Sequence, residues 1–157
     1  MFRTCLTWAL MVGLFSTAVA SRAQGAPPDA RSSRGYEVLW VAAPAWLEHP
    51  AGTDVARTQD ELAALVRQIS PRAPVPDVDF QTNMVVGYFA GSRRGYWLEV
   101  ERVVNYRGEC VVEVREVAPG AGCMGLAEAT YPFILIATHK WPGPVRVESQ
   151  IQVHACR

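Results

Sequence analysis

The segment from Met84 to the C-terminus constrains the fold most, because only short turns separate its apolar or alternating stretches. An uninterrupted apolar run predicts a strand buried on both faces, and alternation predicts a strand with one wet face. Five stretches follow one of these patterns: 84–89, 96–104, 110–117, 131–137 and 145–153. No connection between them has room for the crossover helix that parallel strands usually need. The sheet is therefore predicted to be mainly antiparallel.

A single amphipathic helix is predicted before these strands. Thr58 and Glu61 have the spacing of a capping box, in which the two side chains satisfy free backbone N–H groups of the first turn. Pro71 ends the helix, because proline cannot continue it. The apolar positions between them follow helical spacing and form one face: Leu62, Leu65, Val66 and Ile69.

Upstream of the helix, residues 36–41 are a further strand candidate, since they are rich in β-branched and aromatic residues. Residues 42–56 are interrupted by Pro44, Pro50 and Gly52, and no regular element is predicted there. The predicted fold class is α+β and β-dominated, a mainly antiparallel sheet with one covering helix, preceded by a signal peptide.

The N-terminus has the layout of a secretory signal peptide. Arg3 precedes an apolar run, and small residues follow it up to Ala20, with a second cleavage site at Ala23. We therefore predict a signal peptide over 1–20, a disordered mature N-terminus over 21–35 and a single β-rich domain over 36–157. Such a chain is expected to be secreted or periplasmic, with no stable membrane anchor after cleavage.

The composition argues against several classes of partner. The chain has 15 basic and 15 acidic residues and no basic run, so nucleic-acid binding has no support. Three cysteines remain after the signal, and two of them are expected to pair in an oxidising compartment. Their spacing alone leaves the pairing open, with Cys110–Cys123 as one solution. No metal-ligand spacing occurs, so neither a metal nor a cofactor is predicted.

Residues 120–125 spell G-x-G-x-x-G, the pattern of a dinucleotide-binding loop. That loop works only where it opens a helix whose N-terminus faces the pyrophosphate. Here Pro132 forces extended backbone soon after Gly125. We therefore interpret Gly120, Gly122 and Gly125 as a glycine-rich turn that binds no cofactor.

Three functions remain compatible with the sequence. Exposed aromatic and arginine side chains near residues 93–97 are typical of a protein-interaction site. A thiol enzyme or small hydrolase would use Cys110 and one of the histidines, which are His49, His139 and His154. Binding of a small apolar ligand between the helix and the sheet is the third. The strand glutamates Glu99, Glu101 and Glu113 are expected to pair with Arg102 and Arg115 on a solvated face.

The chain resembles the PrcB C-terminal domain family. The segments "VDFQTNMVVGYFAGSRRGYWLEVERV", "VVEVREVAPGAGC" and "ATYPFILI" occur in the order typical of that family, over residues 78–147. Its Pro-Gly-x-Gly and Thr-x-Pro-aromatic motifs match residues 119–122 and 130–133. Its Thr-Gly-Gly-Tyr motif corresponds to residues 93–96, where only Gly95 and Tyr96 are kept.

The resemblance implies an exported accessory protein without catalytic residues. It pairs Cys123 with Cys156 and leaves Cys110 free. The implied partner is another exported protein, and the family's role makes a protease the candidate. We expect the interaction surface to combine the turn after the first long strand with the glycine loop: Arg93, Arg94, Gly95, Tyr96, Trp97, Pro119, Gly120 and Gly122.

Overall fold

A computed structural model describes residues 35–123 and 128–156. This part of the chain contains β1 (Tyr36–Ala42), β2 (Gly52–Ala56), α1 (Gln59–Ile69), β3 (Asn83–Phe89), β4 (Trp97–Tyr106), β5 (Glu109–Pro119), β6 (Phe133–His139) and β7 (Val145–His154). The predicted signal peptide, and the predicted disordered segment apart from Gly35, lie outside the described residues. None of the helical structure described is long and apolar enough to cross a membrane.

The strands form two sheets. One has the order β1-β6-β3-β2 and the other the order β4-β5-β7. All pairs within the described residues are antiparallel except β5–β7, which is parallel. The prediction of mainly antiparallel pairing is confirmed, and the β5–β7 pair is the exception among the described residues. The crossover from β5 to β7 runs through β6, which belongs to the other sheet, so no helix is needed.

The elements stack in three layers, with the four-stranded sheet in the middle. Its strands β3 and β6 alternate between two cores, as an uninterrupted apolar run requires. Val86 and Ile136 face the β4-β5-β7 sheet, whereas Phe89 and Leu135 face α1. The prediction that these two strands are buried on both faces is therefore confirmed.

The helix covers the outer face of the central sheet as predicted. The four residues of its predicted apolar face are all buried, and burying each such side chain contributes about 1.5–3 kcal/mol. The Thr58 side chain accepts a hydrogen bond from the Glu61 backbone N–H at 3.2 Å. In a usual capping box the Glu61 carboxylate would accept a hydrogen bond from the backbone N–H of Thr58, the N-cap residue. Here it accepts from the N–H of the preceding residue, Arg57, at 2.6 Å. The helix ends at Ile69, before Pro71.

Strand β2 was missed by the sequence analysis. It has five residues and pairs with β3 at the edge of the central sheet. Its only fully buried side chain is Ala56. A segment this short, entered through a glycine, carries too few apolar positions for a periodic signal.

Candidate functional site: one end of the outer sheet

The two halves of the predicted interaction surface meet at one end of the β4-β5-β7 sheet. Trp97 begins β4 and lies opposite Val117 of β5. Pro119 ends β5 and lies opposite His154, the last residue of β7. The turn before β4 and the loop after β5 are therefore neighbours because the strands that carry them are paired.

The glycine loop is a turn, as the sequence predicted, over the residues that are described. The Gly120 N–H donates to the His154 carbonyl at 2.8 Å, and the Cys123 N–H donates to the Gly120 carbonyl at 3.2 Å. A Cβ on Gly120 would lie 2.6 Å from the His154 carbonyl oxygen, so the close approach of the two segments requires glycine. Gly122 has φ +90°, which also favours glycine. Gly125 lies outside the described residues.

A disulfide between Cys123 and Cys156 joins this turn to the end of β7, with the two Cα atoms 5.1 Å apart. This is the pairing that the family resemblance implied, and the Cys110–Cys123 alternative was wrong. Cys110 lies in the core between the two sheets and is unpaired among the described residues. The disulfide holds the turn against the end of the sheet.

Three exposed apolar side chains lie near this end: Trp97, Ile151 and Val153. Trp97 is 40 % exposed, packs edge-on against the His154 ring at 5.5 Å and donates from Nε1 to Glu99 at 3.1 Å. Ile151 and Val153 of β7 are 61 % and 67 % exposed. The sequence analysis placed the latter two on the apolar face of an alternating strand and missed their exposure.

Arg93, predicted to belong to the interaction surface, is instead bound within the protein. Its Nε donates to Glu116 Oε2 at 3.1 Å, and its backbone exchanges two hydrogen bonds with Thr130, at 2.6 and 2.8 Å. Tyr88 donates from its hydroxyl to Glu116 Oε1 at 2.5 Å. Glu116 is 2 % exposed, so this carboxylate lies between the two sheets with an arginine and a tyrosine as its partners.

The partners of Glu116 hold it in the ionised form. Burial by itself would raise the pKa of Glu116, but hydrogen bonds from Tyr88, Arg93 and Ser149 outweigh burial and lower it. Burial, together with the hydrogen bond to the carboxylate, raises the pKa of Tyr88, so the tyrosine stays a donor. The cluster is a satisfied buried ion pair.

The other residues of the 93–97 turn divide between the interior and the surface. Gly95 has φ +69° and reverses the chain. Tyr96 is half-buried, with the Arg93 guanidinium carbon 5.8 Å from its ring centroid. Arg94 is exposed. Of the predicted turn residues, Arg94 and Trp97 are therefore the ones that face solvent most.

Two residues of the thiol-enzyme hypothesis, Cys110 and His49, lie against different cores, since Cys110 belongs to the core between the sheets and His49 packs on Phe89 of the core beneath α1. Cys110 is 5 % exposed, and burial raises the pKa of its thiol, opposed in part by Arg57. His49 stacks on Phe89 with ring centroids 3.8 Å apart, and its Nε2 lies 3.6 Å from Asp54 Oδ2. In the ranges 35–123 and 128–156, no three His, Cys, Asp or Glu side chains cluster as metal ligands would.

The strand glutamates of the outer face pair with arginines, as the sequence predicted. Arg102 binds Glu113 at 2.8 Å, and Arg115 lies 3.0 Å from Glu99 and 3.4 Å from Glu101. Exposed pairs of this kind contribute little to stability and do not form a catalytic carboxylate pair.

Residues 84–139 match the model of the family described as PrcB C-terminal. This segment of the chain is similar to that family. It runs from β3 to β6 and includes the Arg93–Glu116 pair and the glycine loop, whereas α1, β1, β2 and β7 lie outside it. Among the curated proteins and the solved structures, nothing matches the chain.

Proposed function

We propose that the chain is an exported, non-enzymatic protein-interaction module that serves as an accessory or stabilising partner of a secreted or envelope protease. The PrcB C-terminal match supports association with a protease complex. The burial of Cys110 supports a role other than thiol catalysis, because an active thiol must ionise and reach its substrate. The binding surface is the solvent-facing part of the end of the outer sheet: Arg94, Trp97 and residues 119–123.

The observation that carries this proposal is the exposed Trp97 beside a turn that a disulfide holds in place. Tryptophan is among the residues that contribute most to protein interfaces, because it buries a large rigid surface. A surface that is already ordered loses less conformational entropy on binding. Trp97 is fixed by His154 and Glu99, and the adjacent turn is fixed by Cys123–Cys156.

The test compares two exposed tryptophans. The tagged chain is expressed in its own cell, and exported fractions are captured from wild type, Trp97→Ala and Trp46→Ala. Trp46 is 64 % exposed and lies after β1, so it is a control for general loss of tryptophan. We expect wild type and Trp46→Ala to co-isolate the same protein with proteolytic activity, and Trp97→Ala to lose it. Equal recovery by all three would contradict the surface, and recovery of no protease would contradict the protease role.

The arginines of the turn must be tested separately. Arg93→Glu would place a second carboxylate against Glu116, so its effect on binding could not be separated from damage to the fold. Arg94→Glu reverses an exposed charge without touching that pair. We expect Arg94→Glu to weaken capture of the partner while the melting temperature stays at the wild-type value.

A second function, binding of a small apolar ligand, has one observation in its favour. A groove of about 280 Å³ is lined by Leu39, Trp40 and residues 73–76. It lies between β1 and the segment after α1, not between the helix and the sheet as the sequence analysis expected. An apolar fluorescent dye should bind wild type and lose its signal in Leu39→Asp. An unchanged signal would remove this function.

A further inference from the structure

The free edge of β7 differs from the other three sheet edges in the described residues. Exposed edges invite pairing with other chains, and proteins usually block them with bulges, short strands or charges. Strands β1 and β4 each carry a bulge, and the Tyr36 hydroxyl donates to the Val100 carbonyl of β4 at 2.8 Å. Strand β2 has five residues. Strand β7 has ten residues and pairs with β5 without a register shift.

The second half of β7 also lacks the side chains that would block its edge. Residues 149–154 contain no Lys, Arg, Asp, Glu or Pro. Val145 and Val147, on the same face of the strand, pack against the core between the sheets. Ile151 and Val153 continue that face and remain exposed, because the central sheet does not extend over them.

The backbone of β7 identifies which residues offer hydrogen bonds to a new strand. The Pro144 carbonyl accepts a hydrogen bond from the Cys110 N–H at 3.0 Å, and the His154 carbonyl accepts one from the Gly120 N–H at 2.8 Å. The backbone N–H and C=O groups of even-numbered residues therefore point toward β5. Backbone groups alternate in direction along a strand. Ser149, Ile151 and Val153 therefore direct their N–H and C=O groups toward the free edge.

We propose that β7 pairs antiparallel with β7 of a second copy of this chain, with the two-fold axis at Ile151. A two-fold interface must be self-complementary, and antiparallel pairing keeps each face continuous only if the axis passes through a residue position. Centring on Ile151 places the two Ile151 side chains together and Ser149 opposite the second copy's Val153. It also places Glu148 opposite the second copy's His154. The two three-stranded sheets become one continuous six-stranded sheet.

The contact between Glu148 and the second copy's His154 selects this register over its neighbours. Moving the axis to Gln150 would place Arg146, not Glu148, opposite the second copy's His154. Moving it to Gln152 would shorten the paired segment and take Glu148 away from His154, so that Glu148 would keep only Arg146 of its own chain. The occupant is a second copy rather than another protein because the same short segment supplies both the apolar contact and a carboxylate acceptor opposite an imidazole donor. This interface goes beyond the proposed function.

The first test measures molar mass in solution. The exported chain is analysed by sedimentation over a concentration series as wild type, Ile151→Lys and Val38→Lys. Val38 is 44 % exposed on β1 and controls for the added charge. We expect wild type and Val38→Lys to reach twice the monomer mass, and Ile151→Lys to stay monomeric and to unfold cooperatively at a melting temperature that does not depend on protein concentration. A monomeric wild type, or a dimeric Ile151→Lys, would overturn the proposal.

The second test measures the register and does not depend on the lysine variant. Oxidation of Ile151→Cys should give a disulfide-linked dimer, because directly opposed residues of an antiparallel pair lie within the Cα separation that a disulfide spans. Wild type controls for Cys110 and for the Cys123–Cys156 bond. Gln150→Cys should cross-link far less. Cross-linking that is strongest through Gln150→Cys, or absent in all variants, would overturn the Ile151 axis.

Discussion

Two of the glutamates of strand β5, Glu113 and Glu116, lie three residues apart, and each binds an arginine in a different environment. Glu113 faces the outer surface and binds Arg102 at 2.8 Å, with the arginine side chain 65 % exposed. Glu116 faces the space between the sheets and binds Arg93 at 3.1 Å, with the carboxylate 2 % exposed. Because strand side chains alternate, an odd separation of three puts them on opposite faces. An ion pair is therefore expected to contribute more to stability where another layer of the protein covers it than where it faces solvent.

The largest effect is expected from removing the buried charge. Glu116→Gln keeps the shape of the side chain but leaves the Arg93 guanidinium without its counter-charge. Breaking one partner of a fully buried pair costs about 3–5 kcal/mol, but the Arg93 side chain is 32 % exposed, so water compensates part of its lost partner. The free energy of unfolding at neutral pH should therefore fall by about 3 kcal/mol, the lower end of that range. A free energy of unfolding within error of wild type would show that the Arg93–Glu116 pair does not stabilise the fold.

Lowering the pH should reproduce this loss of stability without a mutation, because it protonates Glu116. The folded-state pKa of Glu116 is lowered below its ordinary value of 4.5. Its contribution is therefore complete above pH 4.5 and is lost as the pH falls through the folded-state pKa. We expect the stability difference between wild type and Glu116→Gln to be full at neutral pH and to shrink in acid. A difference that stays constant with pH would contradict the assignment.

A smaller loss of stability is expected when the neutral partner of Glu116, the Tyr88 hydroxyl, is removed. Tyr88→Phe removes the hydroxyl that donates to Glu116 but leaves the Arg93 pair in place. A hydrogen bond to a charged group contributes about 1.5–3 kcal/mol. The free energy of unfolding should fall by that amount. Tyr36→Phe is the matched control, because the Tyr36 hydroxyl donates to a backbone carbonyl. An equal loss in both variants would show that a hydrogen bond to this carboxylate contributes no more than a hydrogen bond to a backbone carbonyl.

The smallest effect is expected on the outer face. Glu113→Gln breaks a solvated pair, and water replaces the lost partner. We expect an unfolding curve that overlaps the wild-type curve, even though the Arg102 distance is shorter than the Arg93 distance. A loss as large as that of Glu116→Gln would reverse the comparison between the two faces.

The sequence predicted those parts of the fold that a local period determines. The burial of Leu62, Leu65, Val66 and Ile69 follows from helical spacing, and the burial of β3 and β6 follows from their uninterrupted apolar runs. The division into two sheets could not be predicted, because pairing between distant strands leaves no local pattern. The parallel β5–β7 pair depends on which sheet β6 joins, and nothing within β6 encodes that choice.

The site was predicted less well than the fold, for reasons visible in particular residues. Arg93 was assigned to the interaction surface because it lies beside Tyr96 and Trp97, and arginine beside exposed aromatic residues is typical of such sites. The signal for its true partner was present, since Glu116 continues the inward register of Val112 and Val114. A carboxylate in an apolar register requires a buried cation or donor. Ile151 and Val153 were misjudged because alternation indicates a face but not whether another layer covers it.

The parallel β5–β7 pair is formed across a loop of chain that belongs to another sheet. Between the two strands the chain crosses to the central sheet as β6 and returns. Cys110 pairs with Val145 and Pro119 with His154, so each of these contacts closes a loop that contains β6. The Cys123–Cys156 bond joins the turn after β5 to the residues after β7, so the same loop is also closed covalently. A link of this kind removes conformational entropy from the unfolded chain, and its reduction should therefore lower the free energy of unfolding.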